Sequence, residues 1–174
     1  MSSNNDVVFK EVQRFRQPLL WLVILAITII FTYGMFRQII LGEPWGNKPL
    51  PDAMLIAIFT FIMCLTLLFF FVKLIVEVRS DGIYIRFFPF HISYRKIPLE
   101  NLKKCEACIY SPLEYGGWGI RYGFKGKAYT ISGNRGVILE LKDGKKLLIG
   151  SQKPKELVKA IDTVLKKRKQ SLIS

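Results

Sequence analysis

Two long uncharged apolar runs set the pattern of the chain. The first covers residues 18–36 and the second residues 53–72. Each is about as long as a helix needs to cross ~30 Å of hydrocarbon. Neither has the polar stripe of a helix buried in a soluble protein. Together they predict a transmembrane helical hairpin over residues 18–72, with helices at about 18–36 and 53–72. The first run is too long for the apolar region of a signal peptide, and no small-x-small cleavage site follows it. Pro18 suits the first turn of a helix, where its missing N–H costs little. Trp21 and Tyr33 suit the two interfacial belts. The segment between the runs holds Gly42, Pro44, Gly46, Pro49 and Pro51, so it reads as a short connector, with Trp45 available to anchor it at the interface.

On either side of the hairpin the pattern changes. Residues 1–17 begin polar. Val8, Phe9, Val12 and Phe15 lie near one helical face, so residues 7–17 read as a short interfacial helix with Lys10, Arg14 and Arg16 at headgroup level. From Lys73 onward apolar and polar positions alternate. Leu74, Val76 and Val78 share one face, Ile75, Glu77 and Arg79 the other. Ser80-Asp81-Gly82 is a turn, and Ile83, Ile85 and Phe87 then alternate with Tyr84, Arg86 and Phe88, which makes a hairpin. Further strands are expected over 92–97, 103–110, 117–122 and 128–132, with a helical turn near 97–102. Val137, Leu139 and Leu141 precede Asp143-Gly144, a strong hairpin signal, and Leu147 and Ile149 lie on the return strand. A final helix over about 153–168 carries the stripe Leu157, Ile161, Val164 and Leu165, with cations gathered at its C-terminal end. Short antiparallel strands ending in one amphipathic helix predict a small open barrel with the helix plugging an end.

These features resemble prokaryotic membrane proteins in which two transmembrane helices precede a pleckstrin-homology-like domain. The resemblance is carried by residues 76–82, by Tyr115-Gly-Gly-Trp-Gly-Ile-Arg121, by Ala128-Tyr-Thr-Ile-Ser-Gly-Asn-Arg-Gly-Val137 and by Leu148-Ile-Gly-Ser-Gln-Lys-Pro154. It implies an α+β membrane protein, in which the hairpin is followed over 73–174 by a PH-like split antiparallel β-barrel capped by the C-terminal amphipathic helix. Many such domains in eukaryotes bind phosphoinositides through basic residues around the first strand-to-strand loop. Here that loop is Arg79-Ser80-Asp81-Gly82, tight and with one cation, a departure from that pattern.

Charge refines the topology. The net charge is +13 at pH 7. Three basic and two acidic residues precede Pro18, two of each lie between the runs, and 21 basic and nine acidic residues follow Val72. Basic ends around a balanced loop place both termini in the cytoplasm of a multi-pass protein of the cell membrane. The same balance favours attraction to anionic headgroups over nucleic acid as a partner.

The chemistry-bearing residues are few. Cys105 and Cys108 form one C-x-x-C, and on a strand their sulfurs face opposite ways. His91 is the one histidine of the chain. There is no P-loop, no triad and no paired carboxylates, so neither an enzyme nor a bound cofactor or metal is expected. Two stretches stand out. Phe88 and Phe90 flank Pro89 after the second strand; they are candidate membrane contacts, or else they pack in the barrel. Tyr115, Trp118 and Arg121 frame three glycines and are candidates for recognition, since aromatic and Arg side chains anchor interfaces; the alternative is a bulge with Trp118 in the core. The leading expectation is a membrane-anchored interaction module that binds a protein partner, assembles as a homo-oligomer or helps build a membrane complex. Anionic-lipid sensing is the alternative, or a non-catalytic subunit of a membrane transporter or enzyme.

Overall fold

A computed structural model describes residues 6–123 and 126–171. The chain forms two compact units. One is the stretch from Arg16 to Phe71; the other joins the segment up to Phe15 with the chain from Val72 onward.

The first unit is the helical hairpin. Helix α1 spans Pro18–Met35 and continues as one π-helical stretch, Phe36–Ile40; α2 spans Asp52–Phe71. Both are long and apolar enough to cross a membrane. Within α1 and α2 only Gly34 and Leu55 are buried, and large apolar side chains such as Leu19, Ile29, Phe61 and Phe70 point outward. Outward apolar groups suit hydrocarbon as solvent, where every polar group must be satisfied internally. The threonine hydroxyls meet that demand. Thr28 donates to the Ile24 carbonyl and Thr66 to the Ile62 carbonyl, each at 2.8 Å, and the two hydroxyls lie 3.4 Å apart across the helices. The connector is more than a link. Trp45 packs on α1 so closely at Gly34 that a Cβ there would sit 2.6 Å from the ring. Gln38 ties the loop to the Leu50 carbonyl (2.6 Å) and to Asp52 (2.7 Å).

The second unit contains nine strands, among the described residues, and helix α3 (Pro154–Ser171). Strands β1 (Val7–Arg14), β2 (Lys73–Arg79), β3 (Gly82–Phe88) and β4 (Arg95–Pro98) form one antiparallel sheet in that order. The second sheet holds β5 (Leu102–Ile109), β6 (Gly119–Gly123), β7 (Gly126–Thr130), β8 (Arg135–Leu141) and β9 (Lys146–Gly150) in the order β5-β8-β9-β7-β6. The β8–β9 hairpin, closed at Asp143-Gly144, inserts β9 between β8 and β7. That makes β7–β9 a parallel pair. The two sheets share no strand. The expectation of an antiparallel barrel is therefore corrected to two sheets, not a closed barrel, with one parallel pair.

A second correction concerns the N-terminus. Residues 7–14 are a strand, not an interfacial helix, so the domain does not begin after the hairpin. It begins before the hairpin and resumes after it, and Arg14 pairs with Lys73 at the register where both chains leave the sheet. The physical reason is that β1 is inverted relative to an ordinary half-buried strand. Val8 and Val12 are exposed, whereas Glu11 and Gln13 are buried. The Glu11 carboxylate accepts the Ser151 hydroxyl (2.6 Å) and the Gln152 N–H (2.7 Å), and Gln13 donates to the Gly150 carbonyl at 2.7 Å. Most buried polar groups in folded proteins have such partners.

The core lies between the sheets and α3. Leu74, Val76 and Val78 of β2, Ile83 and Ile85 of β3, and Val137 and Leu139 of β8 are all fully buried. Helix α3 lies across β5, β8, β1 and β2 and buries Leu157, Ile161 and Val164. Each such side chain contributes about 1.5–3 kcal/mol of burial.

Candidate functional site

The outward face of the four-stranded sheet is an alternation of cations and rings. Arg79 lies 4.5 Å from the Tyr84 ring centre and 5.5 Å from that of Tyr94; Arg86 lies 5.5 Å from Phe88 and 5.7 Å from Tyr94; Lys73 lies 5.4 Å from Phe88. The two ends of this face differ in charge. Toward the β2–β3 turn the cations are matched. Glu77 is buried on the outward face, where it accepts Arg79 (2.6 Å), Tyr94 (3.0 Å) and Lys10 (3.0 Å). Burial pushes its pKa up, but the hydrogen bonds from Arg79, Lys10 and Tyr94 outweigh that and hold the carboxyl below its ordinary value. Asp81 accepts Lys96 at 2.6 Å and the Tyr84 hydroxyl at 2.7 Å.

At the other end, register aligns Arg14, Lys73 and Phe88 across β1, β2 and β3. Arg14, Lys73 and Arg86 have no ion-pair partner among the described residues. Beyond Phe88 the chain turns at Pro89, and Phe90 and Ile92 are 61% and 84% exposed. Phe88 itself is half-buried under its two cations. The structure thus separates the two rings: Phe88 lies at a cationic corner of the domain, whereas Phe90, two residues on, packs on buried Phe87 with ring centres 6.0 Å apart while staying largely exposed. Lys73 and Arg86 belong to that corner as well, though the sequence pattern did not single them out. The signal was present, because alternation along β3 puts Arg86 and Phe88 on one face.

The glycine-rich stretch is arranged differently. Pro112–Tyr115 forms a 3-10 turn closed by left-handed Gly116 (φ 74°), and Gly117 and Gly119 also have positive φ (97° and 121°). Those angles are open to glycine and strained for other residues. Tyr115 is turned inward, edge-on to Tyr110 with ring centres 6.1 Å apart, in a cluster with Ala128 and Leu148. Trp118 is 37% exposed and donates its indole N–H to the Gly133 carbonyl at 3.0 Å. Arg121 Nε donates to the Trp118 carbonyl at 3.2 Å. Tyr115 therefore does not share a surface with Trp118 and Arg121, and the latter two are tied into the loop.

The two thiols of the C-x-x-C are held in their protonated form. Burial first, then Asp162 nearby, pushes Cys105 up to about 11; Cys105 Sγ lies 3.6 Å from Asp162. Cys108 is raised by burial and packs on the tyrosine cluster. Among the described residues no group of three His, Cys, Asp or Glu side chains is placed to hold a metal ion. His91 packs on Tyr129, with ring centres 5.7 Å apart; burial, then Arg95 and Lys127, lower its pKa.

The model of a protein family described as a family of unknown function, DUF6141, matches residues 2–167. The chain belongs to the DUF6141 family. No curated protein matches it, and no solved structure does. Membership in DUF6141 spans both units and so treats strand β1, hairpin and sheets as one inheritance. It assigns no activity.

Proposed function

We propose that this DUF6141 protein is a non-catalytic, membrane-anchored module whose PH-like domain rests on the anionic headgroups of the bilayer that its own hairpin spans. The reading includes a prokaryotic cell membrane and both termini on the cytoplasmic side. The observation that carries it is the cationic corner at Arg14, Lys73, Arg86 and Phe88. Arg14 stands four residues before α1, and Lys73 two residues after α2. Unmatched cations attract anionic lipid at about 1 kcal/mol each, and Phe90 and Ile92, which follow β3 directly, are exposed apolar groups. The basic ends of the chain support the same orientation.

A spin label tests the reading. Cys64, Cys105 and Cys108 are replaced by serine, and the label is placed at position 90 in the full-length protein in anionic vesicles. Exposure to oxygen should exceed exposure to a water-soluble nickel chelate, and the difference should shrink as salt rises. A label at position 113, where Leu113 is 87% exposed on another loop, should remain aqueous. Equal chelate exposure at both positions would sink the headgroup reading and favour a protein partner at the Trp118 loop.

A further inference from the structure

The absence of strand pairing between the two sheets beside β4 leaves an opening. β4 is a free edge of the first sheet. Between it and the second sheet runs a groove of about 1250 Å³, larger than the ~300–1,000 Å³ of ordinary small-molecule pockets. On the face that carries Lys127 the groove is aliphatic, with Ile85 from β3, Ile97 from β4, Leu141 from β8 and Leu147 from β9. Its walls carry Arg95, Lys96, Lys127, Lys145 and Lys146, and among the described residues no carboxylate lines it. Asp81 matches Lys96 and Asp143 matches Lys145. Arg95, Lys127 and Lys146 have no ion-pair partner among the described residues.

Two of these three converge from different sheets. Lys127 is flanked by rings, 4.5 Å from the centre of Tyr122 and 4.8 Å from that of Tyr129. Tyr129 in turn packs on His91, on which Arg95 and Lys127 both act electrostatically. One end of an aliphatic trough therefore holds an excess of positive charge. A bare phosphate would leave the aliphatic face unused. A neutral hydrocarbon would cover the cations without pairing them, which is costly. An anion that carries a hydrocarbon chain satisfies both parts.

We propose that this groove binds a monoacyl lipid anion, with its carboxylate or phosphate head between Arg95 and Lys127 and its chain along Ile97, Leu141 and Leu147. The site uses none of Arg14, Lys73, Arg86, Phe88 or Phe90, so it is separate from the headgroup contact proposed above.

A fatty acid with a chain diazirine tests this on the full-length protein in discs of neutral phosphatidylcholine. Adducts within residues 18–71 report bulk lipid and serve as the internal standard. Adducts should also map to residues 82–98 and 136–150. Excess decanoate or decyl phosphate should erase the second set and leave the first, and the stronger competitor identifies the head. Decanol should not compete. Replacing both cations (Arg95→Gln with Lys127→Gln) should cut groove labelling about tenfold or more relative to the hairpin, as loss of charge-assisted contacts does. Groove adducts that are absent, or that decanol displaces as well as decanoate does, would overturn the proposal. Both competition arms use the unaltered chain and stand even where the double variant fails to fold.

Discussion

Two aromatic stretches, residues 88–92 and residues 115–121, resemble each other in composition and differ in use. Each has two rings beside turn-forming residues and an arginine close in sequence or space. In the second, the groups are spent internally. Tyr115 fills the core, the Trp118 indole donates to the Gly133 carbonyl of the β7–β8 turn, and the Arg121 guanidinium donates to the Trp118 carbonyl. In the first, Phe90 and Ile92 are left exposed, and Phe88 stacks under cations that meet no carboxylate among the described residues. The difference lies in the backbone. Positive-φ glycines turn the 112–121 segment back on itself, whereas β3 ends at the sheet margin with Arg86 and Phe88 facing outward and Phe87 inward.

The sharpest break of this contrast is a ring deletion at each site. Tyr115→Ala should destabilise the full-length protein by about 3–5 kcal/mol, as for other buried aromatics, seen as a lowered thermal midpoint in detergent. Phe90→Ala should change the midpoint by no more than about 0.5 kcal/mol. An equal effect at the two positions would erase the distinction. Glu11→Ala tests whether inward polar groups matter as inward rings do. It strands the Ser151 hydroxyl and the Gln152 N–H, and a cost of about 1–3 kcal/mol is expected. Trp118→Phe keeps the ring and removes the bond to Gly133, so a loss near 1 kcal/mol is expected, with no change in vesicle association.

The smallest effect is on pH dependence. His91 has its pKa lowered in the folded state by burial, Arg95 and Lys127, so the unfolded chain binds that proton more readily. Stability should fall as pH drops below about 6.5 and level off beneath the folded-state value. Glu77 acts in a lower window. Its folded pKa lies below 4.5, so its contribution is present above that value and is lost as pH falls through the folded one. Midpoints recorded from pH 7.5 to 5 should show a slope that His91→Gln flattens. An unchanged slope would place the titration elsewhere.

Much of the second unit is legible in the residue pattern alone. The alternation in β2 and β3, the Asp143-Gly144 turn and the α3 stripe all rest on contacts a few residues apart, which periodicity encodes directly. The Tyr115 ring is legible as aromatic mass beside glycines but not as core, because whether a turn points inward depends on what lies behind it. Strand β1 is misread for a related reason. Its inward residues are Glu11 and Gln13, and polarity alone marks them as solvent-facing. Only the atoms at 150–152 that satisfy them reveal their side.

By itself the sequence determined the two apolar spans, the basic flanks and the succession of short strands ending in a helix. Those follow from local hydropathy, charge and period. Tertiary structure alone decided that the segment before the hairpin closes the sheet after it, since Lys10 and Glu77 pair across more than sixty residues. It alone decided that β9 slips between β8 and β7, and that Arg95 and Lys127 face one trough from separate sheets. Such pairings depend on which faces bury each other, and no window along the chain contains both partners.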